Sequence, residues 1–181
     1  MYKKLIIFLT TFFWSPSLLL ADSITEQIES IGANVIFMRH AIAPGTGDPK
    51  EFKIEDCETQ RNLSDEGRKQ AIQLGNFLKS NIKIDRVFTS QWCRCIETAQ
   101  LLDLADSETF PGLNSFYQDH FDRASVLKNL NNFLQRLDKS TLTLLVTHQV
   151  VISAITGQYA DSGGIVLYNS ESGESRSLLS I

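Results

Sequence analysis

Histidine and cysteine are scarce in this sequence, three of each among 181 residues, and proline (four) and glycine (ten) are thinly spread. The scarcity excludes several classes. No second Cys/His half stands at the spacing of a zinc ribbon or finger. No stretch is repeated, low in complexity or rich in glycine and proline over any length, which leaves an ordinary globular chain, long enough for one compact domain. Positive charge is short too: 17 Lys and Arg against 21 Asp and Glu give a net charge of −4. That balance carries no electrostatic footprint for nucleic acid. Any anion site must be a local cluster of positive charge in an acidic protein.

What is present begins at the N-terminus. Lys3 and Lys4 precede an apolar run, Leu5 to Leu20, and Ala21 leads into the polar segment from Asp22 to Glu26. A short basic region, an apolar region and a small residue at the junction read as a secretory signal. Pro16 and Ser17 weaken a continuous membrane span, which wants roughly 20 apolar residues. We therefore expect a cleaved leader over 1–21 and a mature domain over 22–181, periplasmic or secreted, with no stable span after processing. Losing the two lysines from a chain of −4 leaves −6. In such an oxidising compartment two of Cys57, Cys93 and Cys95 are expected to pair. Cys93 and Cys95 flank Arg94 and cannot bridge to each other within a helix, so Cys57 pairs with either one, or all three stay as small buried residues.

Along the chain, Ile24, Ile28 and Ile31 at helical spacing predict a short amphipathic lead-in. Val35-Ile36-Phe37-Met38 is a continuous apolar run that fits a strand buried on both faces, and it ends at Arg39-His40. Ser64 is a good helix N-cap, followed by Asp65 and Glu66 and an apolar face of Ala71, Leu74, Phe77 and Leu78. Val87-Phe88-Thr89 predicts a second strand, after which Ser90 caps a helix carrying Arg94. A third strand is placed near Thr109-Phe110 and a helix over Arg123 to Leu137. Thr141 to Val146 is the most hydrophobic strand and ends at Thr147-His148, with a further helix next. A hairpin around Gly173 closes the chain. Strands alternating with helices predict a three-layer α/β/α sandwich with a mostly parallel central sheet. Ligands in such sheets bind beyond the carboxyl ends of the strands, where Arg39-His40, Ser90 with Arg94, and His148 are delivered.

Two histidines and two arginines so placed suit phosphoryl transfer. Guanidinium is a planar, permanently charged fork that fits phosphate oxygens, and a neutral imidazole can attack phosphorus. A lone His after a strand is commonly a satisfied core residue; three such coincidences at successive strand ends favour a site. At these residues the sequence resembles the histidine phosphatase superfamily, which includes phosphoglycerate mutase-like and acid phosphatase enzymes. The resemblance rests on Ile36 to Ala41, Leu63 to Ala71, Val87 to Ser90 with Arg94 and Glu97-Thr98-Ala99, and Leu145 to His148. It implies a phosphate acceptor at His40, Arg39 beside it, Arg94 as the second phosphate-binding arginine and His148 as the second pocket histidine. Gly67 and Ala71 are read as structural.

One departure stands out. Where many members have a catalytic glutamate in a Leu-x-Glu stretch, this sequence has Leu113-Asn114-Ser115. Asp119 is taken as the candidate proton donor, with Asp122 and His120 as alternatives, and Arg61 and Gln60 as candidates to line the pocket. No metal or cofactor is expected. His148 follows Arg94 by only 54 positions, so the lid is small and admits phosphate carried on a larger molecule. The sequence is also similar, more loosely, to exported members that remove phosphate from lipopolysaccharide core heptose, which points to a phosphorylated small molecule or a glycolipid. A phosphohistidine protein phosphatase and a phosphate-binding module without turnover are the alternatives. A phosphoglycerate mutase fits less well, lacking the glutamate.

Overall fold

The computed structural model describes residues 23–178, so the expected leader and the last residues of the expected hairpin lie outside it. Helix α1 (Ile24–Ile31) is closed at its start by a capping box between Ser23 and Glu26 and at its end by Gly32 in the left-handed region. Strand β1 (Val35–Arg39) leads to a long loop, then to α2 (Asp65–Asn81), whose N-cap is Ser64 as its sequence suggests. Next come β2 (Arg86–Thr89), α3 (Cys93–Leu102), β3 (Ser107–Thr109) and α4 (Arg123–Arg136). The chain then forms β4 (Thr143–Thr147), α5 (Gln149–Thr156), β5 (Ile165–Tyr168) and β6 (Ser175–Ser177).

The strands make one sheet in the order β3-β2-β4-β1-β5-β6. β3, β2, β4 and β1 run parallel, while β5 and β6 add an antiparallel edge. Period-two alternation divides the buried strand residues between two cores. Ile36, Met38, Val87, Leu144 and Val146 face one side, packed with Ile31, Leu74, Leu78, Ala99 and Leu102 from α1, α2 and α3. Val35, Phe37, Phe88 and Leu145 face the other, packed with Leu130, Leu134, Val151 and Ile152 from α4 and α5. Helices on both faces make the expected three layers, and explain why these strands read as unbroken apolar runs.

One expectation is corrected in detail. Ser90 does not cap α3: Trp92 holds the N-cap position without a side-chain bond, and the Gln60 side chain accepts from the Cys93 amide at 2.9 Å. The Ser90 hydroxyl is used elsewhere, beside His148. Of the open cysteine pairings, the structure has Cys57–Cys93, with Cys95 free and buried. Two residues along a helix turn the side chain by about 200°, so Cys93 meets the loop while Cys95 enters the core.

Gly67, in the first turn of α2, shows how tightly that helix is seated. A Cβ there would lie 2.0 Å from the carbonyl oxygen of Ile42, in the segment that follows His40. Backbone cannot yield as a side chain does. Gly67→Ala is expected to destabilise the domain by about 1–3 kcal/mol, the usual cost of overpacking. Chemical denaturation measures this, and an unchanged midpoint would contradict the packing described.

Candidate active site

Three parallel strands end side by side, and their register fixes the site. Arg39 stands opposite Thr147 in the β1–β4 pairing. The ladder runs one step further, with the His40 amide donating to Thr147 O and the Ser90 amide to Val146 O, both at 3.0 Å. His40 and His148 therefore emerge at one level, their ring centroids 5.5 Å apart. Both are buried, at 2% and 4% exposure. A pocket of about 220 Å³ opens over them, lined by Arg39, His40, Asp48, Arg61, Arg94 and His148. A larger recess of about 580 Å³ beside Gln70, Leu74 and Asp161 has no arginine, lysine or histidine among the described residues of its walls.

His40 is held in one useful tautomer. Its Nδ1 lies 2.8 Å from the carbonyl oxygen of Ala41, which can only accept, so Nδ1 carries the proton and Nε2 keeps its lone pair. Burial, then the Arg94 charge, lowers the His40 pKa to about 3. His148 is likewise pushed well below its ordinary value, by burial first and then by Arg94. Its Nε2 lies 2.9 Å from Ser90 Oγ, which leaves Nδ1 for the pocket. Cys95 Sγ sits 3.5 Å from the same Nε2, but burial raises its thiol to about 12, so it stays protonated and unreactive. Trp92 closes this side, edge-on to His148 at 5.0 Å.

The arginines are fixed by main-chain oxygens. Arg39 Nη1 donates to Ala160 O at 3.2 Å. Arg61 Nε donates to Gly47 O at 2.9 Å and its Nη1 to Ala43 O. Arg94 instead meets a carboxylate, Asp48, with Nη1–Oδ1 at 2.8 Å and Nη2–Oδ2 at 3.0 Å. Both side chains of that pair are 3% exposed. The Nε groups of Arg39 and Arg94 are buried and have no partner among the described residues. Orphaned buried donors are rare in folded proteins and call for an explanation. An acceptor entering the pocket is the explanation its charge suggests.

Asp48 is the residue that sequence reasoning missed. It sits in Gly45-Thr46-Gly47-Asp48, a stretch that reads as an ordinary turn. The one available signal was a carboxylate eight residues after His40, where the site needs cations. Asp119 is placed differently from expectation: it is exposed, in the left-handed region, and absent from the pocket wall. The turn Tyr117–Asp119 carries the chain past the pocket, so Ser115 and Tyr117 line it instead. Asp122 caps α4 by accepting from the Ser125 amide at 2.8 Å, and His120 packs on Phe52 and Trp92. Gln60 is buried as the α3 cap rather than in the pocket. Among the described residues no group of three or more His, Cys, Asp or Glu is clustered to hold a metal ion.

The family model of the histidine phosphatase superfamily, branch 1, matches residues 35–114, a segment that contains Arg39, His40, Asp48, Arg61 and Arg94. Comparison with curated proteins gives no match. Among solved structures the chain is similar to the protein histidine phosphatase SixA complexed with tungstate, at 20% identity over 80% of this chain and 94% of that one, TM-score 0.54. It is similar to a phosphoserine phosphatase from Entamoeba histolytica in complex with 3-phosphoglyceric acid, at 15% identity over 79% and 93%, TM-score 0.54. A mycobacterial glucosyl-3-phosphoglycerate phosphatase matches at 12% identity over 80% and 96%, TM-score 0.54. At these identities the likeness is one of fold.

The two buried imidazoles make stability depend on pH in a defined window. Unfolded histidine binds a proton near pH ~6.5, whereas folded His40 does so only at about 3. Between those values the unfolded chain binds more protons, so stability falls as pH falls. The melting temperature is expected to hold above pH ~7 and to drop between pH ~6.5 and ~4.5, before most carboxylates titrate. Replacing His148 by Gln should flatten that slope. A wild-type profile level through the window would contradict the neutral, buried imidazoles.

Proposed function

We propose, from the match of residues 35–114 to the histidine phosphatase superfamily model and from the site's geometry, that the protein is an exported, metal-independent phosphatase that hydrolyses phosphate monoesters through a phosphohistidine on His40. The observation that carries this reading is the His40 imidazole. It is buried and neutral, its Nδ1 is tied to Ala41 O, and its Nε2 lone pair is free beside three guanidinium groups. Attack by Nε2 forms the N–P bond as the P–O bond to the leaving group breaks. The leaving oxygen takes its proton from water or from the substrate. Water then attacks phosphorus, the N–P bond breaks, and inorganic phosphate and the imidazole are released. Arg39 and Arg94 neutralise the oxygens on which charge develops, and the neutral His148 offers a ring N–H to one of them.

Export is supported by the apolar N-terminal segment and by the Cys57–Cys93 disulfide, a bond that persists in oxidising compartments. Among the described residues no helix is long and apolar enough to cross a membrane. A substrate carried on a larger body, such as a phosphorylated envelope sugar or glycolipid, suits the short lid and Tyr117, which lines the pocket at 44% exposure.

A second reading, a phosphohistidine protein phosphatase, is favoured by one observation. Among the described residues the only carboxylate in the pocket wall is Asp48, and the Arg94 bond and charge outweigh burial and hold it below the ordinary carboxylate range. No carboxylic acid stands ready to protonate an alkoxide, and a nitrogen leaving group makes a different demand. A leaving-group series separates the two. The monoester reading expects turnover of both aryl and alkyl phosphates. Turnover restricted to a phosphoramidate would favour the alternative, and no turnover of any would leave a binding module.

Loss of the acceptor is the sharper check. His40→Ala is expected to reduce aryl phosphate turnover by more than about 1,000-fold, as removal of a covalent nucleophile does, with the fold preserved by circular dichroism. Residual activity above about a tenth of wild type would contradict the covalent route. Turnover is also expected to survive EDTA; a chelator-sensitive enzyme would mean that a metal takes part.

A further inference from the structure

On the phosphatase reading above, on which it rests, we infer that Asp48 is a positioning residue for the reaction: its carboxylate fixes the Arg94 guanidinium and sets the charge of the pocket to match a phosphoryl dianion. The pair is bidentate and dry, with both terminal nitrogens of Arg94 on the two oxygens of Asp48 at 2.8 and 3.0 Å. A fork held at both prongs cannot rotate. Arg94 Nη1 also donates to Arg61 O at 3.2 Å, which ties it to the same loop.

Asp48 is built in rather than parked in the substrate's place. Its Oδ1 accepts the Arg61 amide at 3.0 Å and its Oδ2 the Trp92 indole at 3.2 Å. Trp92 is fully buried and stacked on Phe52 with ring centroids 5.0 Å apart. A carboxylate meant to swing out when phosphate arrives would not be anchored by an amide and a buried indole. The turn that carries it is equally constrained. Gly47 has a φ of +72°, a conformation that side-chain-bearing residues rarely adopt, and its carbonyl accepts from Arg61 Nε.

With the terminal nitrogens of Arg94 on Asp48, the buried Nε groups of Arg94 and Arg39 are left without a partner among the described residues. Phosphoryl oxygens would meet them. The charges agree. Three guanidinium groups and one carboxylate leave two net positive charges, and a phosphate monoester carries about two negative ones at neutral pH. Without Asp48 the excess would be three, with Arg94 free to rotate toward the ligand. Such a pocket would grip phosphate well and orient it poorly. Asp48 thus separates turnover from anion binding, which a mere prop for the fold would not do.

The test uses the full-length protein, with aryl phosphate turnover for kcat and calorimetric titration of tungstate for anion affinity. Asp48→Asn is expected to lower kcat by about 100-fold, the scale of a misplaced reacting group, while tungstate binding is kept or tightened. If Asp48 acts through Arg94, Asp48→Asn adds little in the Arg94→Gln background, since effects on one shared interaction are not additive. The inference is overturned if Asp48→Asn keeps near wild-type kcat. It is overturned equally if kcat and tungstate affinity fall together, or if the double variant shows the full product of the two losses. Should Asp48→Asn fail to fold, Asp48→Glu retains the charge and shifts the guanidinium by a methylene, and the same split is required of it. A wild type without turnover would overturn the phosphatase reading itself; wild-type turnover without the split overturns this inference alone.

Discussion

Guanidinium groups crowded into a dry pocket repel one another, and the rest of the site follows from how that repulsion is answered. Two unit charges a few ångströms apart still interact by about 4 kcal/mol at the effective dielectric of a partly buried site. Among the described residues, Arg39 and Arg61 are met only by main-chain oxygens and Arg94 alone has a carboxylate. Burial first, and this field second, keeps both histidines neutral, because protonating either would add another positive charge to a dry cluster. A neutral imidazole with a free lone pair is what nucleophilic attack on phosphorus requires. The field that would attract the phosphoryl group therefore adds to burial in keeping its acceptor deprotonated.

The fold supplies the rigidity such a cluster needs. Parallel pairing of β1, β2 and β4 brings three strand ends to one level, and both faces of those strands are sealed by helices. The loop between β1 and α2 brings Asp48 and Arg61 back over the strand ends. It is held by the Cys57–Cys93 disulfide, by Gln60 capping α3 and by the close seat of Gly67 against Ile42. Cys93 directly precedes Arg94, so the covalent link between loop and helix lies next to the guanidinium that the loop's own carboxylate holds.

Much of this was legible in the sequence, and the reasons are physical. Val35 to Met38 and Leu144 to Val146 read as strands because both faces are buried and no alternation interrupts them. Ser64 read as a cap because a hydroxyl ahead of Asp65 and Glu66 suits a helix start. His40, Arg94 and His148 were expected together because strand ends in a parallel sheet are where ligands bind, and the structure brings them to one pocket. The loop residues were not legible. Asp48 looks like any turn aspartate until Trp92, Arg61 and Arg94 are brought to it from 13 to 46 positions away. Asp119, promoted by its nearness in sequence to the missing glutamate, is carried to the surface by a turn that no periodicity reveals. Ser90 lost its expected capping role for a similar reason: its hydroxyl meets His148, 58 residues on. Long-range polar pairing leaves almost no local pattern.

The central claim is that the phosphoryl group passes through the Nε2 nitrogen of His40. Rapid-quench mass spectrometry during turnover of an aryl phosphate, worked up under alkaline conditions that preserve phosphoramidates, tests it most directly. The predicted result is a phosphoryl adduct on the peptide containing His40, formed before steady state and consumed as inorganic phosphate appears. A phosphoryl group on any other residue, or steady turnover with no protein-bound phosphoryl group at any time, would contradict it.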